Sequence, residues 1–133
     1  MKKICRMAVV CVLLCGLILP IPVHARELDV QMEPRMASIS VYGTELSISS
    51  DGTASISGFV RGKLGVTSTY VEVTLQKSVS GTWVDVESWE NSSDTSSTSV
   101  AETYQVSRGT YRVAMTCSAD GETKTATSAE RTY

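Results

Sequence analysis

From Ala37 onward, apolar and polar residues alternate with a period of two, in short runs separated by turn residues. Val71, Val73 and Leu75 alternate with Glu72, Thr74 and Gln76, while Ala54, Ile56, Gly58 and Val60 alternate with serines and Phe59. Tyr111, Val113, Met115, Cys117 and Ala119 share one parity, opposite Arg112, Thr116 and Ser118. Successive side chains on a strand point to opposite faces, so each run predicts a strand with one apolar face and one wet face. No stretch sustains the 3.6-residue apolar period of a helix. The runs place strands at 38–49, 53–61, 69–78, 82–90, 98–106, 110–119 and 122–131.

The punctuation between runs sets how these strands pair. Asp51-Gly52, Ser80-Gly81 and Asp120-Gly121 each stand between consecutive runs, and X-Gly pairs supply the positive φ that tight hairpins need. Three hairpins make the pairing antiparallel. Seven half-wet strands must bring their apolar faces together, and two stacked sheets are the simplest solution. The expected fold is therefore all-β, an antiparallel two-sheet sandwich of about seven strands. The polar link "NSSDTSS", Asn91 to Ser97, is expected to carry the chain from one sheet to the other. The acids Asp51, Asp94 and Asp120 occur one per turn, which suits turn formers better than calcium ligands.

The N-terminus follows a different pattern. Lys2, Lys3 and Arg6 precede an apolar run from Met7 to Leu19, Pro20 and Pro22 follow it, and Val23-His24-Ala25 offers a small-residue cleavage site. This is the pattern of a secretory signal peptide spanning 1–25. The charged, proline-bearing segment 26–36 is expected to be a flexible N-terminal arm, and 37–133 the sandwich domain. The expected localisation is secreted, with no stable membrane insertion after cleavage.

Cleavage alters the chemistry available. Residues 26–133 span 108 positions, enough for one core, and hold 9 Lys and Arg against 14 Asp and Glu, a net charge of −5. Scattered bases on an acidic surface argue against nucleic acid as a partner. The one histidine, His24, leaves with the signal, as do Cys5, Cys11 and Cys15, so Cys117 is the only cysteine kept. Without histidine or a second cysteine the secreted chain has no Ser-His-Asp triad, Cys-His pair or structural zinc site. Phosphate-loop and dinucleotide glycine patterns are also missing from the sequence. The chain is expected to be no enzyme and to need no cofactor or metal.

The stretch "SRGTYRVAMTCSAD", 107 to 120, resembles the sixth strand of immunoglobulin-like and fibronectin type III-like sandwiches. The resemblance implies a tyrosine corner, in which Tyr111 hydrogen-bonds the backbone a few residues upstream. The longer pattern "VTLQKSVSGTWVDVESWE" followed by "YQVSRGTYRV" is similar to small secreted proteins of Gram-positive bacteria in a family of unknown function, over residues 38 to 131. Val113 stands where the antibody-type cysteine would be and the third strand has no tryptophan, which favours the fibronectin type III-like branch.

The candidate partner-binding residues are Trp83, Asp85, Glu87 and Trp89. On a regular strand these share one face, with the indoles about 20 Å apart. Exposed, they would form an aromatic platform for sugar rings or a protein hot spot. Against exposure, Val84 and Val86 also compete for the interior, a bulge could turn one indole inward, and a buried Trp is common in sandwiches. The loops 61–67 and 91–97 are the alternative binding surfaces. Cys117 shares the apolar face of its strand and is expected to be a buried, inert thiol, with a disulfide-linked dimer as the rival. The expected function is a secreted interaction module, monomeric, binding an extracellular protein or glycan. The alternative is a structural cell-surface or matrix component that self-associates through an edge strand.

Overall fold

The computed structural model describes residues 36–133, so the signal peptide and residues 26–35 of the arm lie outside the described residues. The eight strands are β1 (Ile39–Ile48), β2 (Thr53–Gly62), β3 (Thr69–Val79), β4 (Thr82–Ser93), β5 (Ser97–Gln105), β6 (Thr110–Ala119), β7 (Glu122–Thr127) and β8 (Arg131–Thr132). They form two antiparallel sheets, one ordered β1-β2-β5 and the other β4-β3-β6-β7, with β8 also pairing β6. The fold is thus an all-β antiparallel two-sheet sandwich.

The alternation in sequence becomes the core. Leu46, Ala54, Ile56, Val60 and Val100 of one sheet meet Val71, Val73, Leu75, Tyr111, Val113, Met115 and Cys117 of the other, all buried. Complete burial of a Val, Leu or Ile side chain contributes about 1.5–3 kcal/mol relative to exposure. Two threonines join this layer without leaving a polar group unpaired. Thr69 Oγ1 donates to the carbonyl of Thr95 at 3.0 Å, so the Thr98 hydroxyl must donate to Thr69.

The three hairpins form where the X-Gly pairs stand. Ser80 and Gly81 have φ of 52° and 80°, and Asp120 and Gly121 have 45° and 87°, the left-handed pair that lets two residues reverse a twisted ribbon. The link between sheets is shorter than 91–97, because β4 runs on to Ser93 and only Asp94–Ser96 cross over. The last strand is also interrupted. At Ser128 the backbone N–H still donates to Val113 O at 2.9 Å, but the Ser128 hydroxyl takes the Val113 N–H at 2.8 Å. A side chain has replaced a ladder carbonyl, and the strand bulges between β7 and β8.

Turn acids tie neighbouring segments together. Asp51 accepts from the Ser49 hydroxyl and the Thr53 N–H, and both bonds lower its pKa. Asp120 accepts from the backbone N–H groups of Thr67 and Ser68 at 3.2 and 3.0 Å, pinning the β2–β3 loop to the β6–β7 turn. Glu122 accepts from the N–H groups of Ala37 and Ser38, at 2.5 and 3.0 Å. Burial pushes the Glu122 carboxyl up, but the Ser38 and Ala37 donors outweigh it and hold the pKa below the usual value. A depressed pKa means that the anchoring is complete at neutral pH and is lost as pH falls through that lowered pKa, below the usual glutamate range. The protection of the Ala37 and Ser38 amides, measured relative to an unstructured chain at the same pH, should therefore fall on acidification in the wild type, and Glu122→Ala should lack that protection already at neutral pH.

Candidate functional site

Trp83, Asp85, Glu87 and Trp89 do not share a face. Between Leu75 and Gln76 the β3–β4 register shifts: Leu75 stands opposite Glu87, Gln76 stands opposite Asp85, and Val86 is the extra residue of a bulge. The expected single row is therefore two pairs. Trp83 and Asp85 lie opposite Ser78 and Gln76, on the outer face of the sheet. Glu87 and Trp89 lie opposite Leu75 and Val73, on the side that faces the other sheet. The physical reason lies in what a regular strand would bury. With Trp89 turned inward, constant parity would carry Trp83 and Asp85 inward as well, away from the Arg112 and Gln76 side chains that hold them on the outer face. One extra residue on an edge strand reverses the parity at little cost in ladder bonds. Val84 and Val86 remain 46% and 36% exposed instead of entering the core.

Each indole has found its own partner. Trp89 is half-buried, packs against the core and meets Tyr104 of β5 edge-on, with ring centroids 6.0 Å apart at 69°. It closes the open side of the sandwich. Trp83 lies half-buried beneath Arg112 of β6, whose Cζ is 4.3 Å from the ring centre. Arg112 Nε donates to Gln76 Oε1 at 2.8 Å, and Gln76 Nε2 donates to Asp85 Oδ1 at 2.9 Å. Trp83, Arg112, Gln76 and Asp85 thus form one connected group across β4, β3 and β6. Arg112 and Gln76 were legible only as polar positions on wet faces; the pairing of three strands brings them to Trp83.

Glu87 serves the edge of β4. Its Oε1 accepts the Ser88 N–H at 3.0 Å, and Asn91 Oδ1 accepts the Ser92 N–H at the same distance. Further along the outer face, Glu72 and Glu90 are cross-strand neighbours that share the Tyr70 hydroxyl, at 2.8 and 2.7 Å. The bonds to Glu90 and Glu72 push the Tyr70 phenol pKa strongly up. On the opposite sheet, a hollow of about 490 Å³ lies over Ser47, Ser55, Ser57 and Ala101 between Glu45 and Glu102. The β2–β3 loop presents Leu64, fully exposed, at its tip.

Tyr111 is 2% exposed, and its hydroxyl donates to the carbonyl of Ser107, four residues upstream, at 2.8 Å. Ser107 is held in turn by Lys77, whose Nζ donates to its Oγ at 2.9 Å. Gly109 lets the chain pass here, since a Cβ would come within 2.6 Å of Lys77 Cε. Tyr111→Phe should lower the unfolding free energy by about 0.5–1.5 kcal/mol with the β circular dichroism unchanged, read by urea titration.

Cys117 is completely buried on β6 between Val71 and Lys124. Burial raises its thiol pKa. Both effects suppress the reactive thiolate, and a disulfide to a second chain would first require the sheet to open. Labelling by a thiol reagent should be slow in native buffer and fast in denaturant; rapid labelling of the folded protein would refute this. No protein-family model and no curated protein matches the sequence.

Proposed function

We propose that this chain is a secreted, non-enzymatic interaction module that holds an extracellular protein partner on the outer face of the β4-β3-β6-β7 sheet. The observation that carries this reading is the half-buried Trp83 stacked beneath Arg112 on that face. Trp and Arg are the residue types most enriched where protein interfaces concentrate their binding energy. Neither is needed by the core, which lies on the other side of the sheet. The β1-β2-β5 and β4-β3-β6-β7 strand orders, together with the Tyr111 corner, support a fibronectin type III-like reading of the sandwich. The signal-peptide pattern of 1–25 and the likeness to small secreted proteins of Gram-positive bacteria support an extracellular place.

The same geometry weakens the two rivals. A sugar platform needed two indoles flanking two acids, but Trp89 faces Tyr104 and Asp85 is engaged by Gln76. Self-association through the edge of β4 meets the Val86 bulge, the covered N–H groups of Ser88 and Ser92, and a strand that carries Asp85, Glu87 and Glu90 but no base. Two such strands side by side would set like charges against each other.

Cross-linking capture from the host's surroundings tests the reading. Trp83→Ala and Arg112→Ala should lose a partner that the wild type and Leu64→Ser both retain, and light scattering should give a monomer. A partner lost only with Leu64→Ser would move the site to the β2–β3 loop. Loss of a glycan in place of a protein would favour the sugar reading, and concentration-dependent oligomers would favour the structural one. The intact mass of the chain in the medium should correspond to a start at Arg26.

A further inference from the structure

We propose that Arg112 is a carboxylate receptor, and that the partner is anchored here by the carboxylate of an acidic side chain. This rests on the outer face of the β4-β3-β6-β7 sheet being the binding face.

The guanidinium is held from two sides. Its plane is supported by the Trp83 ring, 4.3 Å from Cζ. One of its five N–H donors, on Nε, is held by Gln76 Oε1 at 2.8 Å. Gln76 itself cannot flip, because its amide nitrogen donates to Asp85 Oδ1 at 2.9 Å and this aims its carbonyl at Arg112. Asp85 and Gln76 are therefore positioning residues, and the Val86 bulge is what brings Asp85 to this face. With Nε occupied, the end-on pair of Nη groups remains, and neither has a hydrogen-bond partner among the described residues. An arginine fixed in orientation with its end-on donors open is matched to the two oxygens of a carboxylate, which it binds through parallel hydrogen bonds.

The surroundings narrow the ligand further. The outer-face group contains a single cation, whose two open Nη groups match the two oxygens of a carboxylate, and it lacks the extra donors that a dianionic phosphate would call for. Asp85 is hydrogen-bonded to Gln76 and not to the guanidinium, so it leaves the Nη donors open. An acidic sugar would use the same fork, but it would also need a free indole face to stack on, and Arg112 already covers one. A side-chain carboxylate on a protein needs only the fork and the flat sheet around it. The secreted chain carries net −5, so an acidic partner gains little from the general field, and recognition must come from this local geometry.

The test is a titration of the ¹⁵N-labelled protein, read at the Arg112 Nε–H and Trp83 indole N–H resonances. N-acetylglutamate N-methylamide should give saturable shifts at both, while its neutral glutamine counterpart should bind at least 5-fold more weakly, and added salt should weaken the response. Arg112→Lys keeps the charge but not the fork and should abolish the response with the fold intact. Gln76→Leu should leave Arg112 Nε–H exchanging faster and reduce affinity several-fold at unchanged urea stability, a loss of affinity that a merely structural role would not produce. Equal binding of both compounds, shifts spread over all basic residues, or a response to methyl β-glucuronide alone would overturn the assignment. If the capture experiment depends on Trp83 yet N-acetylglutamate N-methylamide leaves Arg112 unmoved, the binding face stands and the carboxylate assignment falls. If capture is also indifferent to Trp83, both fall.

Discussion

Gly58→Val should destabilise the sandwich by about 3 kcal/mol, the upper part of the range for overpacked cores. Gly58 is buried in the middle of β2, and a Cβ built there would lie 2.5 Å from Val73 Cγ1 and 2.9 Å from Met115 Sδ. Both atoms belong to the opposite sheet, so the two layers approach closely at this residue. The Met115 thioether can move aside. Val73 cannot, because it is fully buried and β-branched, with no free space behind it. The sheets must then separate locally, and neighbouring contacts are lost. For a domain of this size the melting temperature should fall by roughly 12–24 °C. The urea midpoint should drop with its slope preserved. Ser57→Val, one residue away on the outer face, is the control and should be nearly neutral. A Gly58→Val protein as stable as the wild type would mean that the layers are not in close contact at this point.

The two tryptophans should respond in opposite ways. Trp89→Ala removes the indole that packs against the core and against Tyr104, and should cost about 2–3 kcal/mol, discounted from the 3–5 typical of a fully buried Trp because the side chain is half-exposed. Trp83→Ala removes an outer-face stack with Arg112, of the kind that contributes about 0.5–1 kcal/mol at exposed sites. Its stability loss should be under about 1 kcal/mol, while any partner bound on the outer face should be lost. Urea titration of both variants beside the capture assay separates these outcomes. Equal stability losses, or a loss of binding with Trp89→Ala alone at preserved fold, would put the site on the wrong indole.

These two cases mark how far the sequence could be read. Val71, Val73 and Leu75 announce their strand and its buried face because each lies on a regular β3, where period-two alternation converts directly into inside and outside. The hairpin at Ser80-Gly81 was equally legible, since positive φ is a property of the turn residues themselves. The same parity applied to β4 grouped Trp83, Asp85, Glu87 and Trp89 wrongly, because one unpaired residue, Val86, reverses every assignment beyond it. Nothing in "TWVDVESWE" marks which residue will be extra. The bulge lets Trp89 meet Tyr104 while Trp83 and Asp85 reach Arg112 and Gln76, and those partners exist only once β3, β5 and β6 are in place.

By itself the sequence determined what depends on neighbours within a few residues: strands, hairpins, the wet and dry faces of regular runs, and the burial of Cys117 through its place on an apolar face. Tertiary structure decided what depends on residues far apart in the chain. Gly58 became a point of closest approach because Val73 and Met115 face it across the sandwich. Trp83, Gln76, Asp85 and Arg112 became one group because three strands pair in a single order. A side chain's partners across a sheet are set by register, and register results from the packing of all the strands together, so no short stretch of the chain can specify it alone.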